Sequence, residues 1–384
     1  MKDNITPKNS DFPASDNGSG QSEKAPDNAK MIVILNPASG SVKKSDSDSN
    51  DGQSEFLQQV EAELQKHGAD YQLLETTPEI NGDQLAAQAA KDGARHIVIC
   101  GGDGTVMSAI NGLFGGDGSE NNDRPTVSIV PGGTANLLAT ALGIPADIEE
   151  AVKVAVSGID YPIDLGRCGE HVFALGLGLG LTEKLVSQAS AEEKEKLGKL
   201  AYAKAMLGEL GAAPTRFRFR LNDGPEQHGK GVAIVIANAG DIGGNLQFAP
   251  DARMNDGQLD LCILHRFYFR DCARMIVKMI MGSLPEDRAV TFSQAHKIEI
   301  LSEPPLDLQI DGEVVDETTP LTAEVVPTAL TVRVPPEYLD KQQEQDEAKA
   351  DQSTLAPVKR HPALFVAPIA IILGAAFWLW RRKR

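Results

Sequence analysis

The sequence predicts an α/β fold, a parallel sheet with helices on both faces, joined to a β-rich, sandwich-like domain and followed by a C-terminal membrane helix. Three observations lead there. Between residues 31 and 156, short apolar runs alternate with helix-length stretches. After residue 159 the texture changes to many short alternating strands separated by Gly and Pro turns. An uncharged run from Ala363 to Trp380 follows an acidic stretch and precedes Arg381-Arg382-Lys383-Arg384.

Taken in order, residues 1–30 are rich in Asp, Asn, Ser, Gly and Pro and contain no apolar signal-peptide core, so they read as a solvated tail. The first domain, 31–158, takes strands at 31–35, 71–74, 96–100 and 126–130. Its helices fall at 54–66, 83–92, 105–113, from Thr134 onward, and at 148–156, with a polar surface loop at 41–53. The second domain, 159–336, takes strands at 161–165, 172–175, 216–221, 232–237, 259–264, 297–301, 306–310 and 330–334, with helices near 200–210 and 272–281. An acidic linker fills 337–362 and a membrane segment 363–380. As a helix that segment spans about 27 Å, enough for the hydrocarbon layer if its basic end snorkels. Trp378 and Trp380 stand where an interfacial aromatic belt belongs. The positive-inside rule draws the terminal basic cluster to the cytoplasm, yet no export signal precedes the large domains, so crossing and re-entry both stay open. The expected location is the cell membrane, with the globular domains on the cytoplasmic side.

Composition removes several functions. The formal charge of −17 repels a phosphate backbone, which argues against nucleic acid as partner. The four cysteines are far apart with no CxxC pair, as expected of buried reduced thiols. The seven histidines show no zinc-hydrolase spacing.

Three small-residue loops follow apolar runs of the first domain: Asn36-Pro37-Ala38-Ser39-Gly40, Gly101-Gly102-Asp103-Gly104-Thr105 and Pro131-Gly132-Gly133-Thr134-Ala135-Asn136. All would leave the carboxyl edge of a parallel sheet, where α/β folds bind ligands. Glycines admit phosphate oxygens to backbone N–H groups, and Thr105 and Thr134 are expected to open helices whose N-termini favour anions. No GxxxxGK[ST] element exists, which excludes a P-loop NTPase. Gly176-Leu177-Gly178-Leu179-Gly180 fails as a dinucleotide loop because Leu181 stands where a glycine is required, and it reads as close-packed backbone.

In this order the three loops resemble the diacylglycerol kinase catalytic family, which includes bacterial lipid kinases and sphingosine kinases. The resemblance continues through Tyr161-Pro162-Ile163-Asp164, Ala237-Asn238-Ala239-Gly240 with Gly243-Gly244, Ala249-Pro250-Asp251-Ala252, Asn255-Asp256-Gly257-Gln258-Leu259 and Asp311-Gly312-Glu313. It covers residue 31 to about 335. It implies a bilobal kinase that moves the γ-phosphate of ATP to the hydroxyl of a membrane lipid, most simply diacylglycerol, yielding phosphatidate. ATP would contact Asn36, Pro37, Ala38, Ser39, Gly40, Thr77 rather than Thr76, Gly101, Gly102, Asp103, Gly104, Thr105, Val106, Met107, Ser108, Gly133, Thr134 and Asn136. Asp103 and Asp164 would hold the phosphate-bound Mg²⁺. A second, structural Mg²⁺ would use Asp256 with carbonyls near Arg253 and Gln258. Glu313 would take the lipid hydroxyl proton, with Asp103 as the other catalytic group. A homodimer is left open. The chain departs from the family at Met107 and Ser108, where Asn and Glu are frequent, and at Leu137, where Asp is frequent. A soluble-metabolite kinase of NAD-kinase type and a non-catalytic lipid- or nucleotide-binding regulator are the alternatives.

Overall fold

A computed structural model describes residues 31–37, 39, 51–114, 124–180, 213–240, 249, 252–266, 268, 274, 287 and 289–343, with the side chains of 51–54 left aside. The N-terminal tail, most of the polar 41–53 insertion and the helix expected near 200–210 lie outside these residues. So do the helix near 272–281 apart from Arg274, the linker beyond 343 and the 363–380 segment. Among the described residues no helix is long and apolar enough to cross a membrane.

The first half builds β1 (Met31–Leu35), β2 (Tyr71–Glu75), β3 (His96–Gly101) and β4 (Thr126–Pro131), all parallel, in the order β2-β1-β3-β4. β3 is buried along its whole length, as a continuous apolar run between two helical layers requires. The connecting helices are α1 (Asp51–Lys66), α2 (Gly82–Lys91), α3 (Asp103–Phe114), the short α4 (Leu137–Ala141) and α5 (Ile148–Ser157). α1 packs with α5 and α2 with α3, which gives the two helical layers. Phe56, Val60 and Leu64 of α1 and Ala151, Val152 and Ala155 of α5 fill one layer of the core. α5 is N-capped by Asp147, whose carboxylate accepts the Glu150 N–H at 3.2 Å. Strand order reverses between β1 and β3, so a crevice opens at their carboxyl ends.

Two helix starts differ from expectation. α3 begins at Asp103 rather than Thr105. The helix expected from Thr134 begins only at Leu137 and has five residues. Asn136 is the reason: it sits in the left-handed region (φ 48°). Its side chain also folds back, accepting the Gly133 N–H at 2.8 Å and donating to the Gly133 carbonyl at 2.7 Å.

The second half is a β-sandwich. One layer continues the first sheet: β5 (Ile159–Cys168) pairs with β6 (His171–Phe173) and β16 (Leu321–Val334), and β16 continues through β13 (Lys297–Ser302) and β8 (Thr215–Leu221) to β9 (Gln227–Gly231). β16 meets β4 in parallel at Val332 opposite Val127, which makes one ten-stranded sheet of both halves. The other layer is antiparallel, in the order β12 (Val290–Ala295), β11 (Leu259–Leu264), β10 (Ala233–Ala237), β7 (Gly176–Gly180), β14 (Asp307–Ile310), β15 (Glu313–Thr318). Phe173, Leu177, Leu179, Ile234, Leu261, Ile298 and Leu308 pack between the layers.

β7 is the Gly176-to-Gly180 stretch, so the close-packed backbone is a strand. Its leucines enter the core, and a Cβ on Gly176 would stand 2.6 Å from the Ile236 carbonyl oxygen. The strand expected at 172–175 ends at Phe173, because 174–175 is the corner between the two sheets. β16 starts nine residues earlier than the strand expected at 330–334, with a register shift between Val326 and Leu330 around Thr328 (φ 47°). Nor is 337–343 linker. These residues are helical, and Tyr338 is buried with its ring edge-on to Tyr161 at 5.3 Å. Cys100, Cys168 and Cys262 are buried and unpaired, and burial pushes their thiols above the ordinary range.

Candidate active site

The three loops meet at the crevice between β1 and β3. The Asn36 side-chain amide donates to Thr105 Oγ1 at 2.8 Å, which bridges the first loop to α3. The Gly132 N–H donates to the Gly101 carbonyl at 2.8 Å. A Cβ on Gly133 would stand 2.7 Å from the Gly102 Cα, so the second and third loops touch through backbone that only glycine permits. A Cβ on Gly132 would lie 2.8 Å from Phe56 and 3.0 Å from Ser39, which closes the contact to the first loop. The loops therefore meet as one backbone surface at the head of α3, whose N-terminus favours an anion.

Asp103 is the acid on that surface. Its Oδ1 accepts the Leu137 N–H at 2.6 Å, and the N–H groups of Asn136 and Leu138 also face the carboxylate. Burial pushes its pKa above the ordinary carboxylate value, and these N–H groups pull it back. Leu137 contributes a backbone group that any residue could supply.

The second half delivers Glu313 to the same place. A Cβ on Gly104 would stand 3.1 Å from Glu313 Oε1, so the exposed carboxylate hangs over the first turn of α3. Glu313 opens β15 immediately after Asp311 (φ 47°) and Gly312 (φ 90°). Asp311 is not among the residues expected at the site. Its carboxylate accepts three consecutive N–H groups, from Ala174 (2.8 Å), Leu175 (2.9 Å) and Gly176 (2.8 Å). Burial raises its pKa to about 6, the three N–H groups oppose that, and the nearby Asp103 charge adds to it. A DGE triplet in a turn signals the hairpin, but nothing in sequence reveals a nest 135 residues away.

Asp164 is taken up elsewhere. It is buried, with Oδ1 accepting the Thr328 N–H and Oδ2 the Gly257 N–H, both at 2.7 Å. It thus pins the 254–258 turn against β16. Within that turn Asp256 Oδ1 accepts the Gln258 N–H at 3.0 Å. Asn238, fully buried and likewise not anticipated, joins the Asp164 carbonyl (2.9 Å) to the Ala174 carbonyl (2.8 Å) through its amide.

The remaining expected nucleotide contacts divide. Thr77 lies just beyond β2 in an exposed turn, where its hydroxyl accepts the Glu79 (3.2 Å) and Ile80 (3.1 Å) N–H groups. Val106 is buried, with its N–H on the Gly102 carbonyl at 3.0 Å, and Met107 packs partly buried against the same core. The Ser108 hydroxyl accepts the Asp83 N–H at 3.1 Å and so serves the α2–α3 contact. Thr134 stands in the loop before Asn136. Ala38 and Gly40 lie outside the described residues.

The donors can be tested against Mg²⁺. Among the described residues no three acids, histidines or cysteines converge. Mg²⁺ on a nucleotide needs only one or two carboxylates beside phosphate oxygens and water, and Asp103 with Asp311 nearby supplies a negative field at the phosphate loop. The residues fit an ion brought by the nucleotide. The second ion expected at Arg253, Asp256 and Gln258 would sit in a turn where Asp256 already accepts the Gln258 N–H and Asp164 the Gly257 N–H.

Residues 30–168 match the family described as diacylglycerol kinase catalytic domain, and residues 180–334 match the YegS C-terminal NAD kinase beta sandwich-like domain. The chain belongs to the diacylglycerol kinase catalytic-domain family and is a kinase, a phosphotransferase with an alcohol group as acceptor. A diacylglycerol kinase of Bacillus subtilis is 29% identical over 283 residues, 73% of this chain and 88% of the relative. A protein of Chromohalobacter salexigens named "Probable lipid kinase YegS-like" is 32% identical over 236 residues, 61% of this chain and 74% of the relative. The crystal structure of a diacylglycerol kinase from Bacillus anthracis superposes with a TM-score of 0.66 at 25% identity, covering 80% of this chain and 98% of that one.

Proposed function

We propose that this kinase transfers the γ-phosphate of ATP to the hydroxyl of a membrane lipid, with diacylglycerol as the acceptor and phosphatidate as the product. The observation that carries this reading is the Glu313 carboxylate of the sandwich standing over Gly104 of the phosphate loop. Phosphoryl transfer needs positioned phosphates, charge neutralisation and a proton acceptor, with little further covalent machinery. The loops that begin at Asn36, Gly101 and Pro131 would cradle the phosphates at the N-terminus of α3. Asp103 would hold the Mg²⁺ that the nucleotide brings, which would supply charge neutralisation at the transferring phosphoryl group. Glu313 accepts the proton of the lipid hydroxyl as its oxygen attacks phosphorus. It is exposed, as a group that must meet an incoming lipid has to be.

The apolar 363–380 segment, by its composition, tethers the catalytic part to the bilayer and raises the effective concentration of a lipid substrate. The test is ATP turnover on extracted membrane lipid. Labelled phosphatidate is the expected product; ATP hydrolysis without a labelled lipid, or labelling of a soluble alcohol alone, contradicts the reading. Removing 363–384 should release the protein from washed membranes and leave turnover on detergent-dispersed lipid intact. Continued pelleting of the truncated protein would show that another surface attaches it.

A further inference from the structure

The corner at 174–176 poses a problem that Asp311 solves. The chain leaves β6, in the ten-stranded sheet, at Phe173 and enters β7, in the six-stranded sheet, at Gly176. Between sheets, three successive N–H groups have no ladder partner, and buried donors must find one. The Asp311 carboxylate accepts all three at 2.8–2.9 Å, and the Asp311 N–H returns a bond to the Gly176 carbonyl at 2.9 Å. The carbonyls of the same corner are held from the other side. Asn238 donates its side-chain amide to Ala174, and the N–H groups of Asn238 and Ala239 go to Leu175 at 2.8 and 3.1 Å. The corner is thus bonded on both edges, and the rigid body it forms is tied to Asp164 through Asn238.

Glu313 follows two residues after this anchor. Asp311 and Gly312 both adopt positive φ, and the Gly312 N–H is capped by Gln309 Oε1 at 2.8 Å. An acidic side chain is the one type that offers only acceptors to three converging donors, and Asp tolerates the left-handed region better than most residues.

We propose that Asp311 is a positioning residue, whose fourfold bonding to the 174–176 corner sets where Glu313 stands over Gly104 and so controls proton removal from the acceptor alcohol. This rests on Glu313 acting as the base. It predicts that damage at Asp311 is felt through Glu313 and not through nucleotide binding. Asp311→Asn presents an amide donor to a cluster of donors and loosens the turn, and Gln309→Leu loosens it from the opposite side without touching the corner.

The experiment is a double-mutant cycle on detergent-dispersed diacylglycerol, with kcat, the KM for ATP and the melting temperature read for each protein. Asp311→Asn alone should lower kcat at least tenfold with the KM for ATP within about twofold. In a Glu313→Gln background it should lower kcat by less than about twofold further, because the group it positions is gone. Gln309→Leu should repeat the pattern at smaller amplitude, which keeps the test informative if Asp311→Asn does not fold. Equal losses in both backgrounds, or a large rise in the KM for ATP, would overturn positioning and leave the base assignment standing. A normal kcat in Glu313→Gln alone would overturn the base assignment and this proposal with it.

Discussion

Gly104 marks the point where the two halves act on one another. A methyl group there would stand 3.1 Å from Glu313 Oε1, and that oxygen ends a flexible side chain that can move aside. Gly104 lies in the first turn of α3 at ordinary negative φ, where alanine is a better helix former than glycine. Gly104→Ala should therefore hold or raise the melting temperature and cut lipid phosphorylation by roughly tenfold or more, since displacements of this order matter to positioned groups. Equal turnover would place the catalytic carboxylate elsewhere. At this scale the sequence was legible where motifs are local: the glycines, Asn36 and Asp103 stand in loops after apolar runs that meet at one crevice, whereas Glu313, far away in sequence, was reached only through the family resemblance. Asp311 and Asn238 were not, because their partners are 135 and 64 residues away and an aspartate in a turn has an adequate local explanation.

Among elements, the α2–α3 contact holds the phosphate loop from behind. A Cβ on Gly112 would fall 2.1 Å from the Asp83 carbonyl oxygen, which is backbone and cannot turn away. Ser108, one turn earlier, accepts the Asp83 N–H, so both helices are fixed at that spacing. Gly112→Ala should destabilise the protein by about 1–3 kcal/mol through overpacking, read as a lower denaturant midpoint at unchanged slope. An unchanged midpoint would mean that the helices are free to part. The parallel strands β1 to β4 were legible from apolar runs and their helices from period, whereas β9 and β15 were not. Gln227 to Gly231 and Glu313 to Thr318 are polar edge strands, paired on one side and carrying no apolar alternation to read. Thr134 misled for a different reason: a threonine after two glycines looks like a helix start, but Asn136 closes its own turn first.

Across the whole molecule, one sheet runs from the phosphate loops through β16 into the sandwich, and a hydrogen-bonded chain runs from Asp164 through Asn238 and Ala174 to Asp311, two residues before Glu313. The shared sheet also buries His96 against Ser128 at 2.8 Å, near Arg333 and Asp160. Burial first, and the Arg333 charge second, lower the His96 pKa from 6.5 to about 4. Between those values the unfolded chain binds a proton that the folded chain refuses, so His96 costs nothing above about pH 6.5 and drains stability progressively as pH falls toward 4. His96→Gln should flatten the loss of melting temperature between pH 7 and pH 5 relative to the unaltered chain. Parallel pH curves for the two proteins would show that His96 is not the group responsible.

On the proposed function the sandwich supplies the base and the α/β half supplies the phosphate site. Glu313→Gln, assayed for ATP binding and lipid phosphorylation on the same preparation, tests it most directly. ATP affinity should be preserved while turnover falls by roughly 10²–10⁴-fold, the usual effect of removing an acid–base group. Weak ATP binding, or phosphorylation at the normal rate, would contradict the assignment and move the base to Asp103.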